Sequence, residues 1–363
     1  MENSKKIRVA ILFGGKSAEH EVSLMSAKNI IDALDKEKYE SVLIGIDKTG
    51  RWLPANSSNL LLNGIKNLNS GVTNSIALLP QENGRIIESQ SNKISRVIDV
   101  VFPVLHGPFG EDGTVQGLLK LANVPFVGAD VIGSAVGMDK DVMKRLLRDA
   151  DIPIARFLVF ESHEQAKIKF NEVKDELGLP FFIKPANLGS SVGVSKVHNV
   201  NEFLAALKEA FNYDRKILIE EFIAGREIEC SVLGNENPIA SLPGEVFPGE
   251  EFYSYDAKYI DEKGTTFAIP ANLTPEQIDV VQSLAIKTFK VTACEGMARV
   301  DFFLNQEGNF VVSEINTIPG FTAISMYPKL WEKSGINYSD LIDKLISLAI
   351  DRFKKQSKLK TSK

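Results

Sequence analysis

Residues 7–13 form a short apolar run. Leu24, Ala27, Ile30, Ile31 and Leu34 then recur at helical spacing, and a second apolar run follows at 42–46. This pattern predicts a β-α-β unit. A strand expected from Val97 to Leu105 and a helix from Thr114 to Asn123 extend it to a parallel sheet with helices on its faces. Between the apolar run at 42–46 and that strand, residues 56–75 hold six Asn and four Ser, too polar to bury much, and read as a surface insertion. From Asp139 the pattern becomes helix, strand (155–160), helix (162–177), strand (181–186), a Gly-rich turn, strand, helix and strand (216–223), a compact α+β block. After Gly225 come strands around 226–233, a polar and aromatic loop at 249–265 and a helix beginning near Thr274. Strands Met297–Leu304 and Asn309–Ile315 and a closing helix over Leu341–Phe353 complete the chain, with no internal repeat.

At 363 residues the chain exceeds one ordinary core, so two or three domains are expected. Apolar residues at 44% and charged residues at 25% mark a globular protein. The net charge of -5 conceals six basic residues after position 351, leaving an acidic body that disfavours nucleic acid. The basic tail itself reads as a solvated, frayed end. Cys230 and Cys294 form no C-x-x-C pair and read as buried thiols in a reducing compartment. No run is long enough for a membrane span or a signal-peptide core, so no membrane partner and a cytoplasmic location are expected.

The most informative stretch is 298–316. If Glu307 and Gly308 are the central turn residues, counting back sets Asp301 opposite Glu314 and Arg299 opposite Asn316, all on one face. Opposed carboxylates repel unless a cation sits between them. Their hard oxygen donors suit Mg²⁺ shared with substrate phosphates better than zinc. Phe303 and Val312, expected further along this face, would make an apolar wall for a purine. The competing reading is a solvated hairpin with unrelated acids.

A strand carrying Lys184 runs into Gly189, Ser190, Ser191 and Gly193, a loop able either to cradle phosphate with backbone N–H groups or to form a plain tight hairpin. The Walker pattern fails, because Ala10 stands where its first glycine should be, and no G-x-G-x-x-G follows the first strand. Residues 217–225 run between two blocks, where Glu220 and Glu227 could face an adenine and a ribose, or could be ordinary strand-edge polarity. Two loops, 14–23 and 106–113, follow parallel strands, so Glu19 and His106 are candidates to converge on a small molecule. For Glu111 and Asp112, capping the helix near Thr114 is at least as good an account as catalysis. His20, His163 and His198 have no partner identifiable from the sequence and read as surface residues.

Taken together, Gly14-Gly15 with Ser17-Ala-Glu-His-Glu-Val-Ser-Leu24, His106-Gly with Gly110-Glu-Asp-Gly-Thr114, and Met138-Asp-Lys140 resemble the D-alanine:D-alanine ligases of the ATP-grasp superfamily. So do Lys184-Pro with Gly189-Ser-Ser-Val-Gly193, Tyr255-Asp-Ala-Lys-Tyr259, Arg299-Val-Asp301 and Glu314-Ile-Asn-Thr-Ile-Pro-Gly-Phe-Thr322. The match runs in order from about residue 7 to 350. The resemblance implies a three-domain ATP-grasp fold, α/β and α+β, whose N-terminal domain carries a Rossmann-like parallel sheet. The expected divisions are 1–129, 130–223 and 224–363, with a lid at 249–265.

It further implies ATP between the second and third domains. Lys140 and Lys184 would contact the phosphates, with Ser191 also on the nucleotide side; Glu220, Glu221, Phe222 and Ile223 would meet the adenine, and Glu227 the ribose. Asp301, Glu314 and Asn316 would hold two Mg²⁺ ions, or Mn²⁺. Glu19 would bind the ammonium of the first D-alanine. Lys258, Ser325 and Met326 would bind the carboxylate of the second. Ser190 and Tyr259 would join Glu19 in a hydrogen-bonded group, His106 would lie near the first substrate, and Arg299 with the Gly320 N–H would stabilise an oxyanion. The product would be D-alanyl-D-alanine for peptidoglycan, made by a homodimer. Ligases of this family that make a D-alanine–D-lactate product carry histidine where Lys258-Tyr259 stand, so the dipeptide is favoured. A nicotinamide-dependent oxidoreductase is disfavoured by the missing glycine fingerprint, and a non-catalytic nucleotide sensor would not need Arg299 or the lid tyrosines.

Overall fold

The structure is a computed structural model and describes residues 5–63, 75–89, 94–248 and 265–360. Lys258, Tyr259 and all but the last residue of the expected lid lie outside the described residues.

Apolar residues dictate the first sheet. Val9 to Phe13 are completely buried, and their strand, Ile7–Gly14, pairs in parallel with Tyr39–Ile46 on one side and Val100–Val104 on the other. The alternating faces of these strands build separate cores. Val9, Ile11 and Phe13 pack with the helix His20–Ala33, while Ala10 and Leu12 pack with the helix Thr114–Leu121. The strand expected over Val97–Leu105 divides, because Ile94–Val97 belongs to a separate antiparallel sheet with Ile76–Leu78 and Arg85–Glu88. Asp99 makes the break: its N–H donates to the Arg8 carbonyl at 3.0 Å and its carboxylate accepts the Arg8 N–H at 2.8 Å.

The central sheet is antiparallel, in the order Phe157–Glu161, Lys216–Glu221, Phe181–Pro185, Ser195–Val197. Helices Phe170–Leu177 and Val200–Tyr213 cover one face through Val173, Leu177, Phe203 and Leu207. The single helix expected over 162–177 is instead a 3₁₀ segment, Ser162–Lys167, followed by the α-helix from Phe170.

The third sheet runs Thr265–Ala268, Gly244–Pro248, Gly225–Gly234, Gly296–Asn305, Phe310–Asn316, with Ile239–Ala240 beside Gly225–Gly234. The helix Pro275–Val291 covers it, begun by a reciprocal hydrogen-bond pair between Thr274 and Gln277 that satisfies two otherwise orphaned N–H groups. The helix Lys140–Asp149 packs Met143 and Leu147 into this same core rather than onto the central sheet.

Two expectations of polar surface are corrected. In the Asn-rich stretch, Ala55–Leu62 is a helix whose Ser58 is fully buried, its Oγ accepting the Gly45 N–H at 2.7 Å and donating to the Leu53 carbonyl at 2.9 Å. Small hydroxyls bury cheaply when both roles are filled. Residues 64–74 of that stretch lie outside the described residues. The closing helix, expected over Leu341–Phe353, runs Tyr338–Gln356 into the basic tail, whose first residue, Arg352, is buried, donating to the carbonyls of Gly128 at 2.6 Å and Phe126 at 2.8 Å, with its guanidinium 4.7 Å from the Phe126 ring centre. The tail helix also lays Leu341, Ile342, Leu345 and Ile346 against the first sheet.

Replacing Arg352 with alanine strands two buried carbonyls, so Arg352→Ala is expected to lower the unfolding free energy by about 2–4 kcal/mol in urea denaturation. Lys358→Ala, at an exposed position, should change it by less than about 0.5 kcal/mol.

Candidate functional site

The site begins with strand alternation. In Gly296–Asn305, Val300, Phe302 and Leu304 enter the core, so Arg299, Asp301 and Phe303 face the other way, into a cleft. Asp301 pairs with Glu314 on one neighbouring strand and with Glu229 on the other, setting three carboxylates abreast. The expected Asp301–Glu314 and Arg299–Asn316 pairings are present, but the turn differs by one residue. Leu304 pairs with Phe310, Phe303 with Val311 and Phe302 with Val312, and a bulge beside Asp301 takes up the extra residue. Asn305 shortens the turn by accepting the Asn309 N–H on its side chain at 2.8 Å. As a consequence Val312 is fully buried in the core and is not part of an apolar wall, whereas Phe303 does line the cleft.

Arg299 is held by this acidic row. Its Nε and Nη2 donate to the two Asp301 oxygens at 2.7 Å each, and Nε lies 3.0 Å from Glu229 Oε2. Asn316 Nδ2 adds a bond to Asp301 at 2.9 Å. Burial works against the guanidinium charge, but Asp301, Glu229 and Glu314 outweigh it and raise the Arg299 pKa well above its usual value.

The cleft, about 1120 Å³ with its open mouth, lies between the central and third sheets. Lys140, Lys184, Ser190 and Ser191 line one part of it, and Glu221, Phe222, Ile223, Glu227 and Phe303 another. Lys140 reaches back to donate to the Leu188 carbonyl, fixing the loop that carries the serines. Ser190 and Ser191 take left-handed φ values of 51° and 58°, each costing about 1 kcal/mol or more. Glu220 also lines the cleft, but its carboxylate already lies between two cations: Lys144 Nζ is 2.9 Å from one oxygen and Lys184 Nζ 2.5 Å from the other. Burial opposes the Glu220 charge, yet the two ammonium groups prevail and bring its pKa down to about 2. Glu221 likewise holds Arg156 at 2.6 Å.

A second cavity, about 830 Å³, shares Ser190, Glu229, Arg299 and Glu314 with the first, so the two meet across the acidic row. Its far wall carries Glu19, His106, Gly320, Ser325 and Met326. Glu19 stands at the start of the helix His20–Ala33, and Ser190 Oγ donates to its Oε1 at 2.5 Å. Gly107, at φ 74°, lies so close that a Cβ there would sit 3.3 Å from Glu19 Oε2. His106 is buried, and its Nδ1 lies 3.0 Å from the Ile318 carbonyl. Asp112 takes the Thr114 N–H at 3.0 Å, while Glu111 turns inward to other partners instead of capping.

Family models described as D-ala D-ala ligase N-terminus and D-ala D-ala ligase C-terminus match residues 8–129 and 146–347. The chain belongs to the D-Ala-D-Ala ligase family. Among its relatives, a D-alanine--D-alanine ligase of Oceanobacillus iheyensis is 54% identical over 99% of both chains. D-alanine--D-alanine ligase A of Escherichia coli K12 is 51% identical over 99% of this chain and 100% of that one. The solved D-alanine-D-alanine ligase from Coxiella burnetii superposes with a TM-score of 0.86 at 40% identity, covering 98% of this chain and 97% of that one. VanG D-Ala:D-Ser ligase from Enterococcus faecalis gives 0.85 at 35% identity, covering 95% and 100%.

Some residues in and around these cavities escape sequence reasoning. Glu229 had a signal, since Glu227 and Glu229 alternate with the buried Ile228 and Cys230. Lys144 had a weaker one, one helical turn beyond Lys140. His20, read as a surface residue, is buried with Nδ1 2.7 Å from the Gly15 carbonyl. His198 is exposed as expected but pairs with Glu202 at 3.0 Å.

Lys144→Met removes one of two cations from the buried Glu220 and is expected to cost about 3 kcal/mol of stability in urea denaturation. Because the Glu220 pKa is depressed on folding, its contribution is complete above about pH 4.5 and falls away as pH drops toward 2. An acid titration of unfolding should show a loss in that window that is smaller in Glu220→Gln.

Proposed function

We propose that the protein is an ATP-dependent ligase that joins two D-alanine molecules into D-alanyl-D-alanine for cell-wall precursor synthesis, releasing ADP and phosphate. The observation that carries this reading is the junction of two cavities across Arg299 and the acidic row. One has lysines and an apolar wall suited to a nucleotide, and the other has Glu19 poised for an ammonium group.

A carboxylate resists attack by an amine because resonance spreads its charge and it lacks a leaving group. Transfer of the γ-phosphoryl group of ATP to the first D-alanine gives an acyl phosphate, which supplies one. Lys140 and Lys184 steady the phosphates and Phe303 packs against the purine, with Phe222, Ile223 and Glu227 completing the nucleoside pocket. Glu221 stays tied to Arg156 and gives that strand a fixed end. Glu19, oriented by Ser190, holds the ammonium of the first substrate. When the deprotonated amine of the second D-alanine attacks, Arg299 and the Gly320 N–H face the developing oxyanion. Collapse of the tetrahedral species expels phosphate and leaves the dipeptide. Ser325, Met326 and Lys258 are assigned to the second carboxylate, and 249–265 with Tyr259 to a lid that excludes water from the acyl phosphate.

The donor set fits a hard cation. Asp301, Glu314 and Asn316 offer two carboxylates and a neutral amide oxygen, the partial set Mg²⁺ accepts when phosphates complete its shell. Among the described residues no three acidic, histidine or cysteine side chains form a metal-holding group by themselves. Bound there, two Mg²⁺ ions, or Mn²⁺, would offset phosphate charge during transfer. We further assign the enzyme to the cytoplasm and to a homodimer. No helix among the described residues is long and apolar enough to cross a membrane.

The VanG likeness supports one other second substrate, D-serine. The relatives at 51–54% identity favour D-alanine. A coupled assay for inorganic phosphate separates these: with ATP, D-alanine alone should drive release, and L-alanine or D-lactate alone should not. Phosphate release with D-serine added but not with D-alanine would overturn the assignment. Asp301→Asn and Glu314→Gln should each lower kcat at least about 1000-fold without unfolding the chain, and unchanged turnover in both would remove the metal assignment. Chelation with EDTA should stop the reaction and added Mg²⁺ restore it. Tyr259→Phe should reduce kcat while leaving the unfolding midpoint where it was.

A further inference from the structure

Ile318 lies between Asn316 and Gly320, in the segment that leaves the third sheet and forms the far wall of the second cavity. Both of its backbone polar groups are taken by the first domain. His106 Nδ1 sits 3.0 Å from its carbonyl, which fixes Nδ1 as the protonated, donating nitrogen. Glu111 Oε1 accepts its N–H at 3.2 Å, and the other Glu111 oxygen accepts the Gly107 N–H at 2.7 Å. One short turn, 106–111, thus grips a single residue of a distant strand exit at both its N–H and its carbonyl. The mechanism above does not use Glu111.

Such a grip is not neutral packing. A buried carboxyl with one oxygen on each of two loops converts a shift of either loop into a lost hydrogen bond and a buried N–H left without its acceptor. Burial works against the Glu111 charge, and with Glu19 nearby it pushes the pKa up to about 8. A group so poorly solvated depends on its two N–H donors. The same turn orients His106, whose Nε2 is buried, has no hydrogen-bond partner among the described residues and borders the second cavity. Loss of the Ile318 anchor would therefore displace the Gly320 N–H and the His106 ring together.

We propose that Glu111 is a positioning residue for ligation, holding the Gly320 N–H in register with Arg299 by tying Ile318 to Gly107. The proposal rests on the ligase reading for its kinetic consequence and on the geometry alone for its structural one. Glutamine at this position keeps the shape but has one acceptor oxygen, so its NH₂ must oppose one of the two N–H donors. A displaced oxyanion donor affects the chemical step and leaves nucleotide binding, on the other side of the acidic row, alone.

The test uses full-length wild type and Glu111→Gln. Phosphate release with ATP and D-alanine should show kcat reduced at least about 30-fold with KM for ATP within about 2-fold. Hydrogen exchange followed by mass spectrometry on a peptide spanning 317–323 should show slow exchange in wild type and exchange at least about 100-fold faster in the variant. A kcat within about 3-fold of wild type overturns the proposal, as does a KM for ATP that rises in step with the loss of kcat. If the variant does not fold, the wild-type measurement still decides, because exchange of that peptide as fast as an exposed loop would show that the anchor does not exist. Inactivity of wild type itself would count against the ligase reading, and the exchange result would stand apart from it.

Discussion

Three carboxylates stand side by side on adjoining strands, and that arrangement is tolerable only with positive charge tied among them. Glu229, Asp301 and Glu314 would repel one another strongly in a half-buried cleft, where water screens little. Arg299, bonded to Asp301 through two parallel contacts and close to Glu229, supplies part of the compensation. The same balance recurs deeper in the cleft, where Glu220 is enclosed by Lys144 and Lys184. Both clusters are costly to bury and neither serves mainly as a source of stability. They set fixed charges along a line from a nucleotide-sized cleft to a small polar pocket, so that groups carrying and receiving charge meet at one place.

Much of this was legible in the chain. The apolar run at 7–13 and the helical spacing after it read as a buried strand and its covering helix, because a strand buried on both faces shows as a continuous apolar run and a following helix favours a parallel partner. The pairing of Asp301 with Glu314 was legible too, although for a partly mistaken reason. Counting back from Glu307-Gly308 assumes an unbroken ladder, whereas the turn is one residue off and a bulge restores the register. Two departures cancel at the acids and fail to cancel at Val312, which enters the core. A bulge leaves no clear mark in composition, so that part could not be read.

Other features were hidden because their partners are distant or belong to the backbone. Arg352 looked like part of a solvated tail, but the carbonyls of Phe126 and Gly128 that accept from it carry no side-chain signature. Glu111 looked like a helix cap because a helix does begin beside it, and the N–H of Ile318 that it accepts is contributed from far along the sequence. His20 is buried against the carbonyl of Gly15, a local contact set by the left-handed turn at Gly14 and Gly15. In each case residue type announced a polar group and topology decided what it would meet.

The core beneath the first sheet joins Val9, Ile11 and Phe13 to Leu341, Ile342, Leu345 and Ile346, the two extremes of the described chain. During synthesis the sheet strands and the helix His20–Ala33 leave the ribosome long before Tyr338–Gln356, so the part of this oily face that the later helix covers stays bare until that helix emerges. A nascent chain in that condition is a natural client for holding factors. Termination before Leu341 would leave a sticky fragment instead of a shortened enzyme.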